Sequence, residues 1–286
     1  MVVMQNKAGQ LANRLFAFAH FIGNAIEYDY RLVNPTFDEY RRHFPMLEAD
    51  DFGALPVSVQ LKPDMRFKTF RRLTETLRKR LPNSPWHVFF DVDDDTVFDL
   101  HDPAYLAAAR GKLVFTNGWQ FRDHQSMLKH RATIQRIFMP RPEVVAAMAS
   151  RRQNLKAAGT DVLVGVHIRR GDYAHWQGGI YCFADEVYRA RMAEVAQALQ
   201  AQGRRATFVL CSNETLDLAA FAPLRVEAGP GEAIQDLYML AACDLILGPP
   251  STYSLWAAFH GGGELCHLVK GADTAIGLAD FSRPFA

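Results

Sequence analysis

Apolar residues recur at two spacings along this chain, and the change from one to the other marks its elements. Val2 to Met4 is a short apolar run, followed by the turn Lys7-Ala8-Gly9-Gln10. From Asn13 to Tyr28 the residues Leu15, Phe18, Ile22 and Ile26 fall at helical spacing, so a strand, a glycine turn and a helix open the chain. Arg31-Leu32-Val33-Asn34 reads as a second strand, after which regularity declines. Residues 62–80 carry Lys62, Arg66, Lys68, Arg71, Arg72, Arg78, Lys79 and Arg80 against Asp64 and Glu75, while Phe67, Phe70, Leu73 and Leu77 keep helical spacing. That pattern predicts a basic surface helix or arm. Residues 86–90 and 112–115 read as strands, and 122–138 and 143–158 as helices separated by Met139-Pro140-Arg141-Pro142.

The second half is more regular. Strands at 161–168, 206–210, 245–247 and 265–269 alternate with helices at 185–202, 214–221, 233–243 and 251–259. Alternation at this spacing predicts a parallel, doubly wound α/β sheet. The boundary is placed near residue 155, giving domains 1–155 and 156–286.

Composition narrows the partners. With 286 residues, 49% of them hydrophobic, the chain can bury two cores of ordinary size. Lys plus Arg number 32 against 31 Asp plus Glu, so the molecule as a whole has no electrostatic commitment to nucleic acid, and any basic site is local. Cys182, Cys211, Cys243 and Cys266 form no CxxC pair and read as buried thiols in a reducing compartment. No run of about 18 apolar residues occurs. The expectation is a cytoplasmic protein, at most peripheral at the inner face of a membrane, with weak membrane-surface contact through 62–80.

Candidate chemistry gathers at strand ends. In Val164-Gly165-Val166-His167-Ile168-Arg169 alternation sends Gly165, His167 and Arg169 to one face, so an imidazole and a guanidinium emerge together where open α/β sheets bind ligands. Arg169 can fork two hydrogen bonds to a phosphate, and Asp172, after Arg170-Gly171, can orient the arginines or touch substrate. Leu247-Gly248-Pro249-Pro250-Ser251-Thr252-Tyr253-Ser254 has the form strand, turn, hydroxyl cluster, helix start. Ser251 or Thr252 is a natural N-cap, and Ser251, Thr252 and Ser254 are candidate phosphate or ribose contacts. Asp236 is either a favourable first-turn carboxylate or a nucleobase contact. Gly9, Asn13 and Arg14 form a possible further loop for donor or acceptor. Asp91 and Asp93, in an acidic run from 91 to 95, could hold a divalent metal or simply make a solvated turn. The ten histidines show no zinc-ligand spacing.

These segments resemble the superfamily of GDP-fucose-dependent fucosyltransferases, most nearly the bacterial α1,2 group. The likeness rests on His167-Ile168-Arg169-Arg170-Gly171-Asp172-Tyr173, on residues 236–247, and on Pro250-Ser251-Thr252-Tyr253-Ser254-Leu255-Trp256. Gly9-Gln10-Leu11-Ala12-Asn13-Arg14 resembles that group's opening, with Ala12 in place of a glycine. The resemblance implies a GT-B-type fold, two Rossmann-like doubly wound domains facing a cleft, with the acceptor side in 1–155 and the nucleotide-sugar donor in 156–286. It implies Arg169 on the diphosphate, His167 and Asp236 against guanine or ribose, and Ser251 and Thr252 near the phosphates, with no metal and no other cofactor. The acceptor would be a glycan or lipid-linked glycan. Asp172, His175, Asp38 and Glu39 are all conceivable general bases. Two readings compete with an inverting transferase: a nucleotide-sugar or glycan binding module without turnover, and a metal-dependent transferase working through Asp91 and Asp93.

Overall fold

The computed structural model describes residues 1–7, 9–61, 65–82, 84–269 and 275–285; Lys62 and Asp64 of the basic segment lie outside them. The chain divides into two compact units, Met1–Arg141 and Pro142–Ala286.

The first unit runs β1 (Val2–Met4), α1 (Leu11–Tyr28), β2 (Leu32–Val33), α2 (Pro45–Ala49), β3 (Val57–Ser58), α3 (Phe67–Arg80), β4 (His87–Asp91), β5 (Phe98–Asp99), α4 (Pro103–Gly111), β6 (Leu113–Asn117), β7 (Phe121–Arg122), α5 (His124–Lys129) and α6 (Arg131–Ile137). Five of its strands form one parallel sheet in the order β3-β2-β1-β6-β4. Helix α1 is buried at every residue from Arg14 to Ala25, as expected of a helix apolar on all sides. Its Gly23 admits α5: a Cβ there would lie 2.7 Å from the backbone of Ser126 and Met127. The helix expected over 122–138 is two helices broken at His130, because Asp123 accepts the Ser126 amide at 2.8 Å and starts α5 as an N-cap, leaving Arg122 to β7. Helix α4 was not expected from its apolar spacing, yet its signal is plain: Asp102 caps the Tyr105 amide at 2.8 Å and Pro103 follows at the first helical position.

The second unit comprises α7 (Pro142–Ala157), β8 (Val162–Ile168), α8 (Asp185–Gln200), β9 (Ala206–Ser212), β10 (Val226–Ala228), α9 (Ala233–Ala241), β11 (Leu245–Gly248), α10 (Thr252–Gly261) and β12 (Glu264–His267). Its sheet is the doubly wound one expected, parallel in the order β10-β9-β8-β11-β12. Central β8 is buried at all seven positions, which is why it reads as a nearly continuous apolar run. Gly165 lets α9 down onto it, since a Cβ would come 2.7 Å from Leu240 and 3.0 Å from the Cys243 sulfur. Where a helix was expected over 214–221 there is one 3₁₀ turn, Leu218–Phe221, stopped short of Pro223.

The division falls at Arg141/Pro142, ahead of the boundary expected near 155. Helix α7 is fastened to the second unit by charge. Arg152 donates to the Ala242 carbonyl and to Asp244, Lys156 reaches Asp244 at 3.0 Å, and Asp244 also accepts the Leu163 amide at 2.8 Å. Burial pushes the Asp244 carboxyl up, but the Leu163 amide and the two cations together hold it below its ordinary range. Among the described residues no helix is long and apolar enough to cross a membrane.

Gly23→Ala is expected to destabilise the protein by about 1–3 kcal/mol, because backbone rather than a flexible side chain must move. Chemical denaturation would detect it as a lower midpoint with unchanged slope.

Candidate functional site

The connections of the second sheet leave β8 in opposite directions: β9 and β10 lie to one side, β11 and β12 to the other. The carboxyl ends of β8 and β11 therefore flank the switch point where open sheets of this kind bind ligands. Strand register places four residues in a row across that end. His167 pairs with Cys211, Leu247 pairs with Val166 and so sets Gly248 beside His167, and Gly248 pairs with His267. Gly248 has no alternative, since a Cβ would sit 2.7 Å from the His167 carbonyl oxygen and 2.9 Å from its Cβ.

His167 is only 5% exposed, and its ring lies over that of Tyr253 at 4.9 Å, inclined by 32°. Burial, then the charge of Arg169 and then His267, push its pKa down to about 3, so the imidazole is neutral near pH 7. Among the described residues its Nδ1 and the Nε2 of His267 are buried polar atoms with no hydrogen-bond partner.

Two residues on, half-buried Arg169 carries its guanidinium 5.2 Å from the centre of the Tyr173 ring. Arg170 is the structural member of the pair: its guanidinium is bound to Asp185, and its amide donates to Asn213 at 2.9 Å. Gly171, at φ 67°, turns the chain into the 3₁₀ segment Gly171–Ala174. Asp172 lies in that segment, and its side chain is outside the described set. Beyond it the rings of Tyr173, Trp176 and Tyr181 stack in series at 4.9 and 5.5 Å, with Trp176 45% exposed.

Across the switch point Ser251 is the N-cap of α10 and accepts the Tyr253 amide at 3.2 Å. Thr252 begins the helix, half-buried, so the hydroxyl pair and the positive end of α10 follow the carboxyl end of the strand paired with β8. Ser254 corrects the expectation of three ligand-facing hydroxyls. It is wholly buried and donates to the Ser251 carbonyl at 3.1 Å, bracing the first turn of the helix.

Asp236, in the first turn of α9, is 4% exposed, and its carboxylate accepts the Gly231 amide at 2.9 Å. Its pKa is raised, burial outweighing the Gly231 amide, Arg151 and the Cys211 thiol. Gly229 leaves the carboxylate its space, since a Cβ there would come 2.8 Å from Asp236 and 3.0 Å from the Cys211 sulfur. Asp236 thereby joins the row through Cys211. None of Cys211, Gly229, Gly248, Tyr253 and His267 was read as a site residue from the sequence; strand register reveals Cys211, Gly248 and His267, and packing against His167 and Asp236 reveals Tyr253 and Gly229.

The first unit's candidates form their own cluster. Gly9 is at φ 55°, and Arg14, 9% exposed, is spent on local structure. It donates to the carbonyls of Gly9 at 3.1 Å and Thr36 at 3.4 Å, pairs with Glu39 at 2.9 Å, and lies 4.9 Å over the Tyr40 ring. Asn13 stands one turn along α1, its amide filling the space beside Gly9. Arg14 thus staples the loop after β1 to the loop after β2 and is no ready ligand contact. Asp38 and Glu39 both pair with Lys7, and the Lys7 hydrogen bond holds Glu39 below the usual carboxylate range, which makes it a poor proton acceptor. His175 is exposed. Asp91 is held by Arg78 at 3.1 Å and by Asn117 at 3.2 Å, while Asp93 is exposed. Among the described residues no three His, Cys, Asp or Glu converge as metal ligands.

The profile of glycosyl transferase family 11 matches residues 110–275, more than half the chain and all of β8 to β12. Galactoside alpha-(1,2)-fucosyltransferase 2 of Sus scrofa is 30% identical over 122 residues, covering 37% of this chain and 33% of the relative. The protein of that name from Hylobates lar is 25% identical over 201 residues, 65% of this chain and 54% of the relative. The chain thus spans between a third and about half of the length of these relatives. Among solved structures, FUT1 of Arabidopsis thaliana, as a mutant in complex with GDP, aligns with a TM-score of 0.60 at 13% identity over 99% of this chain and 72% of that one. Fucosyltransferase NodZ from Bradyrhizobium aligns at 0.56 with 15% identity over 93% and 94%. At such identities the likeness is one of fold, the α/β class expected here.

The buried imidazole has a measurable consequence. His167 has a pKa of about 3 in the fold against 6.5 when free, so between those values the unfolded chain binds the extra proton. Stability is then complete above pH 6.5 and falls as pH drops toward 3, by up to about 1.4 kcal/mol per pH unit for this one group. Urea midpoints at pH 7, 6 and 5 should fall in that order, and His167→Gln should lessen the fall without removing it, because burial lowers His20 to about 3 as well; a parent midpoint unchanged over this range would contradict it.

Proposed function

Because this chain belongs to glycosyl transferase family 11, we propose that it transfers L-fucose from GDP-β-L-fucose to a glycan hydroxyl, forming an α1,2 linkage with inversion. The observation that carries the reading is that Arg169, directly after β8, and the Ser251-capped start of α10, directly after β11, follow the carboxyl ends of two paired parallel strands at one switch point. In this reading the acceptor oxygen bonds to the anomeric carbon on the face opposite the leaving group. The bond from that carbon to the β-phosphate oxygen breaks, its electron pair stays with GDP, and the acceptor proton passes to a base or to solvent. Negative charge therefore grows on the diphosphate. Donors already fixed there lower the barrier rather than merely tightening binding.

Arg169 is assigned the diphosphate, with Ser251, Thr252 and the amides of α10 beside it. His167, neutral and backed by Tyr253, offers ribose or base a flat wall and one ring nitrogen. Asp236 is assigned the guanine edge, whose adjacent N–H donors suit a carboxylate. Asp172 is assigned either the orientation of Arg169 or receipt of the acceptor proton. The positive charge is supplied by protein groups, so turnover is expected to survive EDTA.

A thermal-shift series should show GDP stabilising the protein more than UDP, ADP or CMP do. With GDP-fucose and a glycan array read by mass spectrometry, Arg169→Ala should lose on the order of 3 kcal/mol of transition-state stabilisation, a hundredfold or more in rate. Arg169→Lys should not restore it, because the planar fork is gone. Turnover of Arg169→Ala within a few-fold of the parent removes the assigned role, and binding of GDP with no product on any glycan points to the binding module instead.

A further inference from the structure

Helix α3 is the basic segment that the donor site does not use. Its inner side is committed: Phe70 and Leu77 pack with Val3, Val33 and Phe115 of the first sheet, and Thr74 is buried. Its outer side is a stripe of charge. Lys68, Arg72 and Lys79 follow one another at i, i+4 and i+11, Arg80 stands beside them, and Arg66 precedes the helix, all exposed. Arg71 is paired with Glu75 and Arg78 with Asp91, whereas Arg66, Lys68, Arg72, Lys79 and Arg80 make no ion pair among the described residues. In a chain of net charge +1 this is a strong local concentration.

Large apolar side chains stand among these cations. Leu73 is 56% exposed on the flank of α3, Leu81 at its end is 55% exposed, and Trp86 is 81% exposed just before edge strand β4. The last two are drawn together, because the ring of buried His87 meets the Leu81 carbonyl at 2.8 Å. A surface that mixes cations without an ion pair among the described residues with exposed leucines and an indole fits one environment better than any other. The headgroup layer of an anionic bilayer gives the cations counter-charges and takes the apolar side chains out of water. A nucleic acid would satisfy the cations and leave Leu73 and Leu81 in water.

We propose that the outer face of α3, with Leu81 and Trp86, docks this protein on an anionic lipid bilayer, the indole at headgroup depth and the cations against lipid phosphates. The test is co-sedimentation of the full chain with phosphatidylcholine vesicles, with and without phosphatidylglycerol. Binding is expected only when phosphatidylglycerol is present, and it should weaken as salt rises. Lys79→Glu with Arg80→Glu should reduce the apparent affinity roughly tenfold or more. Leu81→Ser with Trp86→Ser should reduce it several-fold and abolish any blue shift of tryptophan fluorescence on binding, with thermal midpoints and stabilisation by GDP unchanged in both pairs. Equal sedimentation with and without phosphatidylglycerol, or variants that sediment like the parent, would overturn the proposal. Retention of RNA or duplex DNA with indifference to vesicles would transfer the face to nucleic acid. GDP stabilisation is read separately, so failure here leaves the donor assignment standing.

Discussion

A strand buried on both faces can carry polar side chains only where it stops. Strand β8 obeys that constraint through Val162, Leu163, Val164 and Val166, with Gly165 as the sole concession to a helix packed against it. Its polar residues come last, His167 just inside and Arg169 just outside the sheet. Hydrogen-bond register then does the rest, since β9 and β11 cannot pair with β8 without bringing Cys211 and Gly248 to the same level. The site is thus a by-product of how a parallel sheet ends, and the protein has tuned the side chains found there.

The tuning is electrostatic as much as steric. A neutral imidazole beside a guanidinium leaves one strong positive charge at the lip of the sheet where two would have repelled each other. Arg170, the neighbour that could have doubled that charge, is turned away to Asp185. The amides at the start of α10, after the adjoining strand, add a partial positive charge.

Most of this was legible in the linear pattern. Apolar runs and helical spacing located β8, β9, β11, α8, α9 and α10, and alternation within residues 164–169 named His167 and Arg169 as companions. Sequence spacing was blind to cross-strand neighbours: His267 lies a hundred positions from His167, and only the pairing of each with its neighbour around Gly248 reveals the relation. Hydroxyls misled for a different reason. Ser251 and Ser254 look alike in the sequence, but one caps a helix and the other bonds back to it, a distinction set by helical phase. In the first unit the two-residue strands β3 and β5 are too short to leave a period, and Arg14, read as part of a further loop for donor or acceptor, holds the loops after β1 and β2.

The fastening of α7 bears on how the molecule could be divided. A fragment beginning at residue 156 would lack Arg152 and keep Asp244 with one cation fewer; it would also expose the backbone carbonyls of Ala228 and Ala242 that Arg151 and Arg152 cover. One beginning at Pro142 retains this whole clasp. A cut in the loop around Met139-Pro140 would therefore leave the second unit with its buttress intact, whereas a cut fifteen residues later would leave that unit frayed at its own edge.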